Sequence, residues 1–252
     1  MKLEQFVKGS KQTRLLYLAD SYVIGFQATI VKTYRENQKS TYIILDETAF
    51  HPKAGGQPTD TGVINGSGFS VAVRKVMLID GIAIHWCKSI NGEVSARCVT
   101  GNVNWQYRYL YMRRHTAGHL FDHCLAVLKG RPVKTIDSWL GDPCYIAYNG
   151  EMPSGDVIPR AEAMENQMIS EGGKVTFEEV SFEELLRRAP NAPNIYRIPS
   201  LKSYRIVKIE GCDPIPCAGT HLRNIREIGR FLMKDVKKTS LGFKIFYDVK
   251  DS

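Results

Sequence analysis

The chain has 252 residues, a formal net charge of +8 and a pI near 9.1, long enough for one large domain or two modest ones with a sizeable core. It holds no apolar run of about 18 residues, the length a membrane helix needs, and its start, Met1-Lys2-Leu3-Glu4-Gln5, lacks the basic-then-apolar layout of an export signal. A cytoplasmic chain with no membrane partner is therefore expected, and its six cysteines are read as reduced thiols rather than disulfides.

From Tyr22 to Cys98, short apolar or alternating runs are separated by turns: Phe26 to Val31, Ser40 to Leu45, Ser70 to Val76 and Gly81 to Trp86. Brief strands at this spacing predict a small N-terminal β-barrel over residues 1–98. Between two of them, Phe50 to Gly62 is polar, glycine-rich and interrupted by Pro52 and Pro58, a composition that suits an ordinary barrel connection and a functional loop equally. Trp105 to Lys129 contains no proline and predicts one long helix. A strand follows at Val133 to Asp137, a second helix starts near Pro159 and runs through Ile169, and strands return at Val175, Arg205 to Ile209, Gly229 to Met233 and Lys244 to Tyr247. Residues 99–252 thus read as an α/β domain with a mainly antiparallel sheet, making the whole chain α+β. Cys87, Cys98, Cys124 and Cys144 read as small core residues.

Two motifs carry the chemistry. His115-Thr-Ala-Gly-His119 lies on the long helix, where positions i and i+4 share a face, so both imidazoles reach one ion. Cys217-Ala-Gly-Thr-His221, in a turn shaped by Pro214, Pro216 and Gly219, adds a thiolate and a third imidazole. Three nitrogens and a sulfur with no carboxylate suit zinc better than magnesium or calcium. Protease chemistry is disfavoured because no glutamate lies between His115 and His119 to act as general base. His123 continues the i+4 series but lies too far along the helix for the same ion and is read as structural.

The positive charge favours an anionic partner, nucleic acid above all. It is spread evenly: residues 1–98 hold 12 cationic and 8 anionic side chains, residues 99–252 hold 22 and 18. The nearest approaches to a basic cluster are Arg108, Arg113 and Arg114 before the metal motif and Lys234, Lys237 and Lys238 near the C-terminus.

Arg114 to Leu120, Cys217 to His221, Arg226 to Gly229 and the Phe50–Gly62 loop together resemble the editing domain of alanyl-tRNA synthetase. Over nearly its full length the chain is similar to the free-standing AlaX proteins of the longer type, which keep a barrel and a Gly-Gly-Gln loop ahead of the editing domain. The resemblance implies a zinc-dependent trans-editing hydrolase that cleaves the ester joining serine, or glycine, to tRNA(Ala), with no protein partner. By the same resemblance His115, His119, Cys217 and His221 are the zinc ligands, Gly55, Gly56 and Gln57 form the loop beside the acceptor end, and Thr135 senses the serine hydroxyl. Gln57 and Thr135 are thus expected to serve the reaction, and Gly55, Gly56, Arg113 and Arg114 to bind the RNA. Two positions depart from the family pattern, Ala218 and Ala54, where glycine is usual. Four protein ligands fill a tetrahedron, as in structural zinc sites; the ion then expands its coordination, loses a ligand or simply orders the pocket. A non-catalytic RNA-binding module stapled by zinc is the rival reading, and hydrolysis of a small ester unrelated to tRNA is a third.

Overall fold

The computed structural model describes residues 2–251. They fall into two compact units, 2–54 with 58–109 and 55–57 with 110–251. In the first, α1 (Leu3–Val7), β1 (Arg14–Leu15) and α2 (Leu16–Ala19) precede β2 (Gly25–Arg35), β3 (Ser40–Leu45), β4 (Glu47–Thr48), β5 (Gly62–Gly66), β6 (Phe69–Ile79), β7 (Ile82–Asn91) and β8 (Cys98–Val103). Six of these strands close a barrel in the order β2-β3-β7-β6-β5-β8. Alternation fills it: Ile43, Leu45, Ile64, Val71, Val73 and Val99 point inward and form one apolar core with Phe50 and Phe69.

Strand β8 pairs with both β2 and β5 and so closes the barrel, which carries the first unit beyond residue 98. Its burial alternates, with Val99, Gly101 and Val103 inside, so Cys98 faces outward and is exposed rather than a core residue. Cys87, Cys124 and Cys144 are buried, as expected of small core residues.

The base of the Phe50–Gly62 loop is fixed within this unit by a buried ion pair. Arg108 donates to the Asp60 carboxylate and to the carbonyls of Ala49 and Ser21, and Asp60 accepts from the His51 amide. Burial pushes the Asp60 carboxyl up, and the Arg108 guanidinium opposes it. Removing either partner would strand a buried charge, at a cost of about 3–5 kcal/mol.

The second unit is built on α3 (Trp105–Lys129), whose start belongs to the first. Gly130, with φ +60°, ends the helix. There follow β9 (Thr135–Trp139), β10 (Tyr145–Asn149), α4 (Val157–Glu171), β11 (Val175–Val180), α5 (Phe182–Arg188), a 3-10 turn η1 (Ile195–Arg197), β12 (Tyr204–Ile209), β13 (Ile215–Pro216), a 3-10 turn η2 (Ile225–Ile228), β14 (Arg230–Thr239) and β15 (Gly242–Lys250). An antiparallel sheet runs β14-β15-β10-β9, and a second joins β11, β12 and β13. Along β15 every second residue is buried, and Tyr247 from that face donates to the Arg114 carbonyl at 2.8 Å. Gly118 lets the two elements approach: a methyl there would lie 2.9 Å from the Tyr247 hydroxyl. Helix α4 protects the edge of the sheet, since the Asn166 amide both donates to and accepts from the backbone of Phe231. No helix among the described residues is long and apolar enough to cross a membrane.

Candidate metal centre

The helical pair and the turn pair converge. The ligand atoms of His115, His119, Cys217 and His221 all lie within 4.8 Å of one another. Cys217 Sγ is 3.3 Å from Nε2 of His115 and 3.3 Å from Nε2 of His221. Zinc bond lengths of about 2.3 Å to sulfur and 2.0–2.1 Å to nitrogen, on a tetrahedron, put ligand atoms about 3.5 Å apart. Both donor chemistry and spacing therefore fit one tetrahedral metal ion. His123 stands outside this cluster, half-buried and near the charge of Asp213.

Three of the four ligands are held from behind. His115 Nδ1 is 3.1 Å from Gln57 Oε1, and His221 Nδ1 is 3.3 Å from Thr116 Oγ1. Those contacts leave both Nε2 atoms for the metal, with Nδ1–H donating outward, the arrangement that fixes tautomer and ring angle. Thr116 in turn accepts from the Leu222 amide at 3.2 Å, tying the helix to the second motif. The Gly219 amide lies 3.4 Å from Cys217 Sγ and donates to it. Arg205, reaching from β12, donates to the carbonyls of Cys217 and Gly219, both at 3.0 Å, and stacks on Phe177.

Gln57 sits at the hub of this support. It is fully buried; Oε1 accepts from the Thr220 amide at 3.1 Å and faces His115, while Nε2 donates to Thr220 Oγ1 at 2.8 Å. The loop tip can enter because of its glycines. Gly55 and Gly56 have φ of +55° and +83°, and a methyl on Gly56 would lie 2.5 Å from the carbonyl oxygen of Ser138. The Gly56 carbonyl accepts from Leu140 N–H at 2.9 Å. In the turn, a methyl on Gly219 would overlap His115 and lie 2.6 Å from its Nδ1, whereas Ala218 and Ala54 are exposed and accommodate theirs. The two alanines that depart from the family pattern thus stand where a side chain costs nothing.

Electrostatics prepare the ligands unequally. Burial pushes His119 down to about 4, helped by the nearby charge of Arg205, so its imidazole is neutral and free to ligate. Burial pushes the Cys217 thiol up, opposed by the Gly219 amide and by Arg205. Metal uptake must therefore release a proton from Cys217.

Thr135, Arg113 and Arg114 are not among the four grouped ligands. Thr135 begins β9, and a bulge opposite Ala147 and Tyr148 gives it Tyr148 as its cross-strand partner. Tyr148 donates to Asp122 of α3, so the bulge turns Thr135 toward the helix. Its hydroxyl donates to the Pro193 carbonyl and accepts from Arg197 at 2.9 Å. Arg113 and Arg114 are buried: Arg113 donates to the Ile228 carbonyl and pairs with Asp251, and Arg114 pairs with Asp142 and Asp248 and donates to the Leu140 carbonyl. Their guanidinium groups brace the helix against its own unit instead of forming an exposed basic face. Arg108 is likewise consumed by Asp60. Sequence reading missed Thr116, Thr220 and Arg205; the first two stand beside ligands inside the motifs, while nothing in its own neighbourhood marks Arg205.

Two family models match the chain: residues 7–107 match class II (A) tRNA synthetases, and residues 204–242 match the threonyl and alanyl tRNA synthetase second additional domain. An alanyl-tRNA editing protein AlaX-M of Methanosarcina mazei is 30% identical over 228 residues, covering 86% of this chain and 88% of its own length. An AlaX-L editing protein of Pyrococcus horikoshii is 32% identical over 218 residues, 85% of this chain and 52% of its own. An alanine--tRNA ligase of Ignicoccus hospitalis is 31% identical over 248 residues, 94% of this chain but 26% of the ligase. The chain therefore spans about a quarter of that ligase and half of the AlaX-L protein.

Proposed function

The chain belongs to the family of AlaX-M alanyl-tRNA editing proteins, and on that premise we propose that it is an aminoacyl-tRNA deacylase acting on tRNA(Ala) mischarged with serine or glycine. The observation that carries the reading is the direct linkage between the Gly-Gly-Gln loop and the metal cluster, through Gln57, Thr220 and His115. A purely structural staple needs four ligands. It does not need a glycine pair in the left-handed region delivering a buried amide to one of them.

His115, His119, Cys217 and His221 would hold the ion, and zinc is the metal their donor set suits. When bound, it supplies a Lewis acid that binds and polarises oxygen or nitrogen groups of the substrate. An aminoacyl ester is labile, so the residues' main task is orientation and discrimination. Gln57 and Thr116 set the angles of His115 and His221, and Arg205 holds the Cys217 turn. Thr135 is our candidate for reading the serine hydroxyl. A buried polar partner for that hydroxyl rejects the analogue lacking it by up to about 10⁴-fold, which would spare alanine.

The rival, a zinc-stapled RNA-binding module without catalysis, draws support from the complete set of four protein ligands. Ester loss from purified seryl-, glycyl- and alanyl-tRNA(Ala) separates the two. Release of serine with alanine retained supports editing; no release from any ester by metal-loaded protein supports the module.

A further inference from the structure

From Leu185 to Ile209 the chain carries six cationic side chains and no carboxylate. At the centre of this stretch lies η1, and at its tip Tyr196, 78% exposed, the most exposed large hydrophobic side chain among the described residues. A single exposed ring is common on a protein surface, but this one is presented in a defined way. It is held out by a turn that is itself firmly anchored: Ile195 N–H donates to Ala192, Arg197 N–H to Asn194, and Thr135 N–H to the Pro193 carbonyl. Lys134 places its ammonium 4.8 Å from the Tyr196 ring centroid.

The anchors of this turn lead to the candidate site. Asn194 donates from its side chain to the carbonyl of Pro216, the residue before the ligand Cys217, at 2.7 Å. Arg197 donates to the hydroxyl of Thr135 at 2.9 Å. Tyr196 is two residues from the first anchor and one from the second. At about 3.8 Å per residue its Cα lies at most about 7.6 Å from that of Asn194 and about 3.8 Å from that of Arg197.

We propose that Tyr196 is a stacking platform for an unpaired base at the 3′ end of the tRNA, with the exposed Lys134 facing the adjoining phosphate. An exposed aromatic ring on an anchored turn, beside an ammonium group and in a stretch without carboxylates, fits a single-stranded nucleic acid end. The linkage through Asn194 and Arg197 couples the seating of that base to the metal-ligand turn and to Thr135. The inference rests on the editing reading, because it supplies the 3′ end as the occupant.

The test measures binding of uncharged tRNA(Ala) to the full chain, with intact transcript and with transcript lacking its three 3′-terminal nucleotides. For the wild type, truncation is expected to weaken binding by about 5- to 100-fold, the range of one or more stacked bases. Tyr196→Phe keeps that penalty, whereas Tyr196→Ala binds the intact tRNA as weakly as the wild type binds the truncated one. A truncation penalty undiminished in Tyr196→Ala overturns this inference and leaves the editing reading standing. Absence of tRNA binding by the wild type overturns both. Self-association lost in Tyr196→Ala, with tRNA binding unchanged, assigns the turn to a protein contact and also overturns it. The ring is exposed, so unaltered metal content and melting temperature are expected in both variants and serve as controls.

Discussion

Replacing Gln57 by alanine reaches the metal through two hydrogen-bond partners. The variant loses the acceptor facing His115 Nδ1, the acceptor of the Thr220 amide and the donor to Thr220 Oγ1. Each such bond contributes about 1 kcal/mol, and a buried amide left without an acceptor costs about 1–3 kcal/mol. Loss of a partner behind a ligating histidine typically lowers metal affinity 10- to 100-fold, or about 1.4–2.7 kcal/mol. Beyond the role in the reaction expected of Gln57, its contact with His115 adds weaker metal binding. Gln57→Glu separates the two roles of the side chain. A carboxylate keeps both acceptor functions, Thr220 turns its own hydroxyl proton toward the second oxygen, and the negative charge makes His115 a stronger ligand. Zinc titration of metal-free protein against a competing chelator is the assay. The expected order of affinity is Gln57→Glu at or above wild type, then Gln57→Ala lower by at least about tenfold. Equal affinity for wild type and Gln57→Ala would refute the reasoning.

Three further outcomes are expected. Gly219→Ala forces a methyl against His115 Nδ1 and Gln57 Oε1, so purified protein should carry much less than one metal ion; full occupancy with a normal melting temperature would show that the turn can yield. Burial raises Asp122 to about 7 in the folded state, against an ordinary aspartate value of about 3.9 when unfolded, and the Tyr148 hydrogen bond and the charge of Arg197 only partly offset this. The folded chain therefore holds a proton that the unfolded chain releases. Stability from this group is full below about pH 4 and declines through about pH 7, by up to about 4 kcal/mol. Asp122→Asn, whose amide oxygen still accepts from Tyr148, should flatten that decline in thermal unfolding between pH 5 and 8, and parallel profiles for the two proteins would contradict it. Thr135→Val removes the hydroxyl shared by Pro193 and Arg197. It should lower serine release more than tRNA binding, and unchanged release would take Thr135 out of the site.

The sequence was most informative where spacing alone decides geometry. The i, i+4 rule put His115 and His119 on one face of a helix predicted over Trp105 to Lys129, the span α3 occupies. The barrel was legible from strands with clear alternation, but β5 and β8 escaped notice because Gly62, Gly66 and Gly101 break their apolar pattern. Helix α5 carried a readable signal, Ser181 with Glu184 three residues on, and a capping box forms there. Arg113 and Arg114 show the limit of local reading. Adjacent arginines look like a basic face, and only the long-range placement of Asp142, Asp248 and Asp251 turns them inward. The same holds for Gln57, whose link to Thr220 spans 163 residues of sequence.

The most direct test of the central claim is the fate of seryl-tRNA(Ala) and alanyl-tRNA(Ala) incubated separately with the metal-loaded protein, with a His115→Ala, Cys217→Ala double variant as control. The editing account predicts rapid loss of the serine ester, a largely intact alanine ester and no loss of either with the variant. Persistence of both esters in the presence of wild-type protein that binds tRNA would contradict it.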